Sequence, residues 1–159
     1  MTENNMKKII CTAMCIVSAL TFCACTETKN PEISDIAASV NATSAYAMVD
    51  LIEITEDKMD IYFTGLDMSK VESFYAAKAQ DGYTDHFVAI KVSDGEYASE
   101  VVTILEDYKA NLAETYADYA PIEAERAETG TVITIDDDYV FMIISEDTAT
   151  VTSAVETHF

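Results

Sequence analysis

Apolar side chains recur at three- and four-residue steps in the middle of the chain, and this period predicts a long helix. Its apolar face comprises Val101, Leu105, Tyr108, Leu112 and Tyr116. Ser93, with a glutamate three residues later, forms a capping box that predicts the start of the helix, and Pro121 predicts its end. Tyr97 and Tyr119 each lie 11 residues from Tyr108, a spacing that returns to nearly the same face. We therefore expect all three tyrosines to pack in the core.

Runs rich in β-branched and aromatic residues lie on both sides of this helix and predict two hairpins. The four strands are expected at 71–79, 84–92, 131–135 and 139–144. An Asp81-Gly82 turn joins the first pair, and three aspartates, 136–138, join the second. The run at 139–144 is apolar without alternation, which predicts a central strand covered on both faces.

Three weaker helical segments complete the predicted domain. The first begins at an Ser34 cap and extends loosely to Ile52, the second covers 56–63, and the last follows a Ser145 cap near the end of the chain. The order hairpin-helix, hairpin-helix predicts an α+β fold of two layers. In this fold a four-stranded antiparallel sheet, built from two hairpin-helix units, carries the helices on one face, together with an N-terminal helix.

The first residues of the chain have the pattern of an export signal. Met6-Lys7-Lys8 precedes an uncharged run of 14 residues, 9–22, whereas a bilayer span needs about 20. Phe22-Cys23-Ala24-Cys25 resembles a bacterial lipobox, which implies cleavage between Ala24 and Cys25 and acylation of Cys25 with fatty acids such as palmitate. An ordinary secretory signal is the alternative. We therefore divide the chain into a signal peptide, 1–24, a lipidated cysteine with a polar tether, 25–33, and one domain, 34–159.

The charge of the chain restricts its partners. The net charge is −20, and removal of Glu3, Lys7 and Lys8 with the signal would bring it to about −21. Such a chain cannot bind nucleic acid by neutralising phosphates, nor adhere to anionic lipid through clustered basic residues. We therefore expect contact with the membrane through the lipid alone, on its extracytoplasmic face. The charge also suits solubility outside the cell or recognition of a cationic partner.

The four cysteines do not form a disulfide framework. Cys11, Cys15 and Cys23 belong to the predicted signal, and Cys25 would carry the lipid. The mature domain would then contain no thiol, and hence no disulfide, cysteine nucleophile or cysteine-bound metal. We expect no cofactor and no metal site.

Five features of the chain occur together in a familiar order: the Met6-Lys7-Lys8 start, the lipobox, Tyr62-Phe63-Thr64-Gly65-Leu66-Asp67, the strand at 86–92, and Tyr139-Val140-Phe141-Met142 before the last helix. In this order they resemble a family of small uncharacterised lipoproteins found mainly in clostridial (Firmicutes) bacteria, whose shared domain has no known function. The resemblance covers roughly residues 50–159. The resemblance implies an acidic residue just before the middle strand, and Asp85 or His86 stands at that place. It implies no catalytic residue.

Catalytic and metal-binding patterns are weak in this chain. His86 and His158 are its two histidines, and Ser73 or Ser93 lies in no Gly-x-Ser-x-Gly elbow. The aspartates at 136–138 lack the alternating spacing, central glycine and distal glutamate of a calcium loop, so we interpret them as a solvated turn. Carboxylate pairs are too numerous in an acidic chain to be informative.

One candidate surface for a partner lies on the predicted sheet. Phe87, Tyr139 and Phe141 would form an apolar patch if one sheet face is open, and would be core if the N-terminal helix covers it. The sequence favours a membrane-anchored extracytoplasmic binding or scaffolding module, whose partner is an unidentified protein or envelope polymer. The alternative is a carboxylate-dependent hydrolase of the cell envelope or of imported polymers, so whether the protein is an enzyme stays open.

Overall fold

A computed structural model describes residues 29–159. Its helices are α1 (Ile33–Asn41), α2 (Glu56–Tyr62), α3 (Gly95–Tyr116), α4 (Pro121–Thr129) and α5 (Thr148–Glu156). Its strands are β1 (Leu51–Glu53), β2 (Val71–Ala79), β3 (His86–Val92), β4 (Thr131–Ile135) and β5 (Tyr139–Ile144). Short 3-10 turns cover Ser44–Tyr46 and Met68–Lys70. Within residues 29–159, every helix is too short or too polar to cross a membrane.

The strands form one antiparallel sheet in the order β1-β2-β3-β5-β4. The expected sheet of four strands is therefore wrong, because β1 adds a fifth. Leu51 pairs with Ala79 and Glu53 with Ala77, at the outer edge of β2. The sequence predicts Leu51 within the N-terminal helix, but that helix ends at Asn41. A three-residue strand carries too little alternation to be recognised in a sequence.

Helices cover both faces of the sheet, so the expected two-layer arrangement is also wrong. One core lies between the sheet and α2, α3 and α4, and the other between the sheet and α1 and α5. The central strands require this arrangement, because every residue of β3 and β5 is buried. Val88 and Ile90 contribute to the first core, while Phe87 and Ala89 contribute to the second. As the unalternating run at 139–144 predicted, β5 is covered on both faces.

The ends of α3 differ from the prediction in ways that position the candidate site. Asp94, not Ser93, caps the helix, since its Oδ1 accepts the Glu96 amide hydrogen at 3.0 Å. The helix ends at Tyr116, and Pro121 opens α4 in the first turn, where its missing N–H costs nothing. At 22 residues α3 is about 33 Å long, whereas the seven residues of β3 span about 23 Å. The last turns of α3 therefore extend past the sheet.

The sheet has two ends that differ in what they contact. At the tether end, Lys91 pairs with Tyr139, whose hydroxyl lies 2.8 Å from Asn30 Oδ1 near the first described residues. At the hairpin end, His86 pairs with Ile144, and the β2–β3 turn meets the α3–α4 corner. The tether end of the sheet therefore lies next to Asn30, and the hairpin end lies at the other end of the same strands.

Candidate binding site

A buried ion cluster of Thr84, Asp85, Glu123 and Arg126 joins the hairpin end to α4. Asp85 immediately precedes β3 and is only 3% exposed. The Arg126 guanidinium donates from Nη1 to Asp85 Oδ2 at 3.1 Å and to Glu123 Oε1 at 2.6 Å. One cation therefore holds two carboxylates that come from different elements. Asp85 is one of the two residues that the family resemblance had singled out.

Thr84 completes the cluster from the backbone side. Its amide donates to Glu123 Oε2 at 2.8 Å, and its hydroxyl donates to the Glu123 carbonyl oxygen at 2.9 Å. Thr84 has no exposed surface. These bonds tie the residue that follows the β2–β3 turn directly to the first turn of α4. The turn and the α3–α4 corner are therefore held together as one rigid surface.

The Asp85 carboxyl has a pKa raised above its usual value. Burial is the largest cause, Arg126 acts in the opposite direction, and Glu123 and Glu146 raise the pKa further. A carboxylate pair held by one buried cation is a costly arrangement, and removal of the cation would leave both acids uncompensated. The arrangement suits a structural role, because side-chain exposure is only 4% for Asp85 and 12% for Glu123. We call the cluster of Thr84, Asp85, Glu123 and Arg126 the clamp.

His86 lies beside this clamp in one defined tautomer. Its Nδ1 is 2.9 Å from the Thr84 carbonyl oxygen, which can only accept, so Nδ1 carries the hydrogen. Its Nε2 must then accept the hydrogen bond from the Tyr108 hydroxyl at 2.8 Å. Burial, with a smaller contribution from Lys78, lowers the pKa of His86 to about 4, although the bond to Thr84 acts to raise it. His86 is therefore a neutral, fully bonded core residue near neutral pH.

At the hairpin end, four large side chains lie on the two segments that the clamp joins, and we call them the tyrosine patch: Tyr83, Tyr116, Tyr119 and Ile122. Tyr119 is 67% exposed, Ile122 74% and Tyr83 42%, and Tyr116 is half-buried. The rings of Tyr116 and Tyr119 are tilted against each other, with centroids 5.2 Å apart. Large apolar groups grouped on an otherwise acidic surface are typical of an interaction site.

The backbone positions this patch through three local features. Gly82 has a φ of 102°, a left-handed conformation that places Tyr83 at the hairpin tip. Tyr116 faces the Gly82 amide, and its pKa is raised, first by burial and then by Tyr119. Tyr83 precedes Thr84, and Ile122 precedes Glu123, so the clamp fixes the two halves of the patch against each other.

Carboxylates surround the patch, while two cations of the region are already paired. Asp81 is fully exposed and lies close enough to Tyr116 to raise its pKa. Asp118, between Tyr116 and Tyr119 in the chain, is also exposed. Lys78 lies 3.9 Å from Asp81, and Arg126 is held in the clamp. The surface therefore combines aromatic faces with negative charge.

The surface that the sequence offered for a partner is core instead. Phe87, Phe141 and Tyr139 are at most 1% exposed. α1 and α5 cover them with the apolar side chains Ile33, Ile36, Val40, Val151 and Val155. The partner-surface alternative for these three residues is therefore wrong, because the helical layer closes the sheet face. Ala24 and Cys25, the predicted cleavage and lipidation positions, lie outside the described residues.

The remaining candidates do not converge on the patch. His158 Nε2 lies 2.9 Å from Ser39 Oγ, where α5 meets α1. Asp136 and Asp137 have φ values of 51° and 63°, consistent with a tight turn at the tether end. Among residues 29–159, no group of three or more histidines, cysteines or acids is arranged to hold a metal ion.

The sequence interpretation misassigned Tyr119 to the core. The helical spacing that links it to Tyr108 does not apply, because α3 ends at Tyr116. The pair Ala120-Pro121 indicates that the helix ends by Ala120, because the helical conformation is disfavoured for a residue that precedes proline. Tyr83 follows the turn glycine Gly82 and lies outside the strand predicted at 84–92, so its position in the turn already indicated exposure.

The fold and this surface define a three-layer α/β domain with an exposed aromatic patch anchored on a buried clamp. Residues 44–145 match a family described as Domain of unknown function (DUF4358), and the chain belongs to that family. The match includes the patch and the clamp, whereas α1 and α5 lie outside it. No curated protein and no solved structure matches the chain.

Proposed function

We propose that this protein is a membrane-anchored extracytoplasmic lipoprotein, of the clostridial kind that the sequence resembles, which binds a partner through the tyrosine patch. The observation that carries the proposal is the position of the patch at the sheet end opposite Asn30. A module that is fixed to a membrane at one end and exposes apolar rings at the other is arranged to meet a partner away from the bilayer.

The length of the tether supports this orientation. Three residues separate Cys25 from Lys29, so the chain between their Cα atoms can extend at most about 14 Å. A lipid on Cys25 would therefore hold the tether end of the sheet against the membrane. The six residues of β5 then carry the hairpin end about 20 Å further out.

The composition of the patch supports binding rather than catalysis. Tyrosine is enriched at the centres of protein interfaces, where it supplies contact area and a polar hydroxyl together. A hydrolase of the alternative class would need accessible paired acids. The closest pair beneath the patch, Asp85 and Glu123, is instead bound to Arg126 and nearly buried.

Anchoring is tested by growing cells with a labelled fatty acid and comparing the parent chain with Cys25→Ala. We expect label in the parent and none in the variant, since two acyl chains on one cysteine are sufficient for stable attachment. Equal labelling of both chains would refute the lipid anchor at Cys25. Cys23→Ala is the matched control and should keep the label.

Binding is tested by placing a photo-crosslinking amino acid at position 119 of the anchored protein in intact cells. Thr103, an exposed residue of α3 that lies 13 residues before Tyr116, provides the control position. We expect an adduct of defined mass at 119 that disappears when Ile122→Ser is added, and no such adduct at 103. The same adduct pattern at both positions would contradict a binding role for the patch.

A further inference from the structure

We infer that the tyrosine patch recognises an arginine-bearing, positively charged segment of a protein partner. This inference rests on the proposed function and names the chemistry of the partner. It joins two independent properties of one surface, the exposed aromatic faces and the carboxylates that border them.

The first property is the set of rings. Tyr119 and Tyr83 present much of their surface to solvent, and Tyr116 lies against Tyr119 at a centroid distance of 5.2 Å. Arginine stacks its planar guanidinium on such rings, and each cation–π contact contributes about 0.5–1 kcal/mol at an exposed site. Two neighbouring rings can therefore hold one guanidinium in a preferred orientation.

The second property is charge complementarity. Asp81 is exposed close to Tyr116, Asp118 is exposed between Tyr116 and Tyr119 in the chain, and Glu146 is exposed close enough to Asp85 to raise the pKa of that buried acid. Lys78, 3.9 Å from Asp81, partly offsets that carboxylate, and Arg126 is bound to Asp85 and Glu123. Among the described residues no basic side chain is paired with Asp118, so its charge stays available to a partner. A guanidinium stacked on Tyr119 could donate to a bordering carboxylate, and such charge-assisted bonds are stronger than neutral ones.

The clamp favours an arginine-bearing segment over a flexible apolar segment as the partner. Thr84 and Glu123 hold the hairpin and the α3–α4 corner in one arrangement, so the rings are fixed before a partner arrives. Preorganised rings and acids reduce the ordering that binding requires. A neutral sugar polymer could also stack on tyrosines, but it would gain no attraction from the surrounding charge. We therefore treat sugar binding as the competing outcome.

The test uses the full lipidated protein in detergent and a fluorescent (Arg-Gly)6 peptide as the probe, with binding followed by anisotropy at rising salt. We expect Tyr119→Leu to weaken binding about three- to fivefold and Tyr119→Phe to change it less than 1.5-fold, because phenylalanine keeps the ring face. (Lys-Gly)6 should bind more weakly than (Arg-Gly)6, since an ammonium group cannot stack as a plane.

A matched pair of charge variants separates the patch from general attraction to an acidic protein. Asp118→Asn removes a carboxylate at the patch, and Asp60→Asn removes an exposed one on α2. We expect a loss of at least threefold for the first and less than 1.5-fold for the second. Equal losses in the two variants, or equal binding of the Tyr119→Leu and Tyr119→Phe chains, would overturn the inference.

The failure of this inference is distinguishable from the failure of the proposed function. Binding of a neutral N-acetylglucosamine hexamer that Tyr119→Leu abolishes, without patch-dependent binding of the arginine peptide, would overturn the arginine partner and leave the binding module intact. If the crosslinker at position 119 also gives the same result as at 103, both proposals fail.

Discussion

The two ends of the sheet use similar chemistry and present it to solvent in opposite ways. At the tether end, Lys91 donates to Glu72 at 2.6 Å and lies over the ring of Tyr139, 5.5 Å from its centroid. Phe159 covers that tyrosine edge-on at 5.0 Å, so the ring is 1% exposed. At the hairpin end, Arg126 similarly bridges carboxylates, but the tyrosines above it stay open to solvent.

This difference indicates how a candidate binding site can be told apart from a similar set of side chains elsewhere in residues 29–159. A cation, a carboxylate and a tyrosine occur at both ends, so the residue types do not distinguish them. At the tether end Phe159 covers the aromatic surface, whereas at the hairpin end the rings of Tyr83 and Tyr119 are exposed beside the clamp. The proposed binding role of the hairpin end therefore rests on the exposure of its rings and not on the types of its residues.

The largest effect that can break this comparison is loss of the buried cation. Arg126→Met should destabilise the fold by about 3–5 kcal/mol, because Asp85 and Glu123 would remain buried beside each other without a counter-charge. Chemical denaturation of the purified protein measures it. The double change of Asp85→Asn with Arg126→Met should recover part of the loss, and a single variant as stable as the parent would refute the clamp.

The second effect depends on pH and comes from His86. The pKa of the folded state, about 4, lies below the value of about 6.5 in an unfolded chain, so the unfolded state binds the proton first. Stability should therefore fall as the pH drops from about 6.5 to 4, by roughly 3 kcal/mol at full protonation of the unfolded chain. The raised pKa of Asp85 acts with the opposite sign and offsets part of this fall.

Denaturation midpoints measured between pH 7 and 4 in the parent and in His86→Gln test the assignment. The variant should lose most of the slope in that window, since glutamine does not titrate. His158→Gln, which replaces the other histidine of the chain, is the matched control. Parallel slopes in the parent and in His86→Gln would show that another group is responsible.

The third effect is the tether-end counterpart of the first. Lys91→Met should cost about 1 kcal/mol or less, because Glu72 is 54% exposed and water can solvate it once the lysine is gone. The same denaturation series measures it. If Lys91→Met lowered the free energy of unfolding as much as Arg126→Met, the two ion pairs would contribute equally to stability. The comparison between the two ends would then fail.

The sequence predicted local elements well and their assembly less well. Val71–Ala79, Thr131–Ile135 and Tyr139–Ile144 form strands with the predicted bounds. The last two are rich in β-branched and aromatic residues, and the Asp81-Gly82 turn signal identifies the first. The fifth strand and the second helical layer depend instead on tertiary pairing, which leaves little trace in a three-residue segment. A sequence period also cannot reveal which helical layer closes over Phe87 and Phe141.

The candidate site was harder to predict for a related physical reason. Asp85 was noticed through the family resemblance, but its partners Glu123 and Arg126 lie 38 and 41 residues further along the chain. No local spacing links such residues. The patch was not predicted because the 11-residue spacing between Tyr108 and Tyr119 fits a helix. In the structure the helix ends at Tyr116, three residues before Tyr119.

The smallest change in stability is expected for a substitution in the tyrosine patch. It tests whether Tyr119 packs in the core, as the helical spacing predicted, or is exposed, as in the structure. Tyr119→Ser should change the free energy of unfolding by no more than about 0.5 kcal/mol, because an exposed ring contributes little to the core. Leu105→Asp, which buries an unpaired charge at a fully buried position of α3, provides the contrast and should cost several kcal/mol. Denaturation midpoints of the two variants are compared with the parent. If Tyr119→Ser shifts the midpoint as far as Leu105→Asp does, the ring is part of the core and the hairpin end carries no open patch. If the midpoint is unchanged while crosslinking from position 122 is lost in Tyr119→Ser, the ring serves a partner rather than the fold.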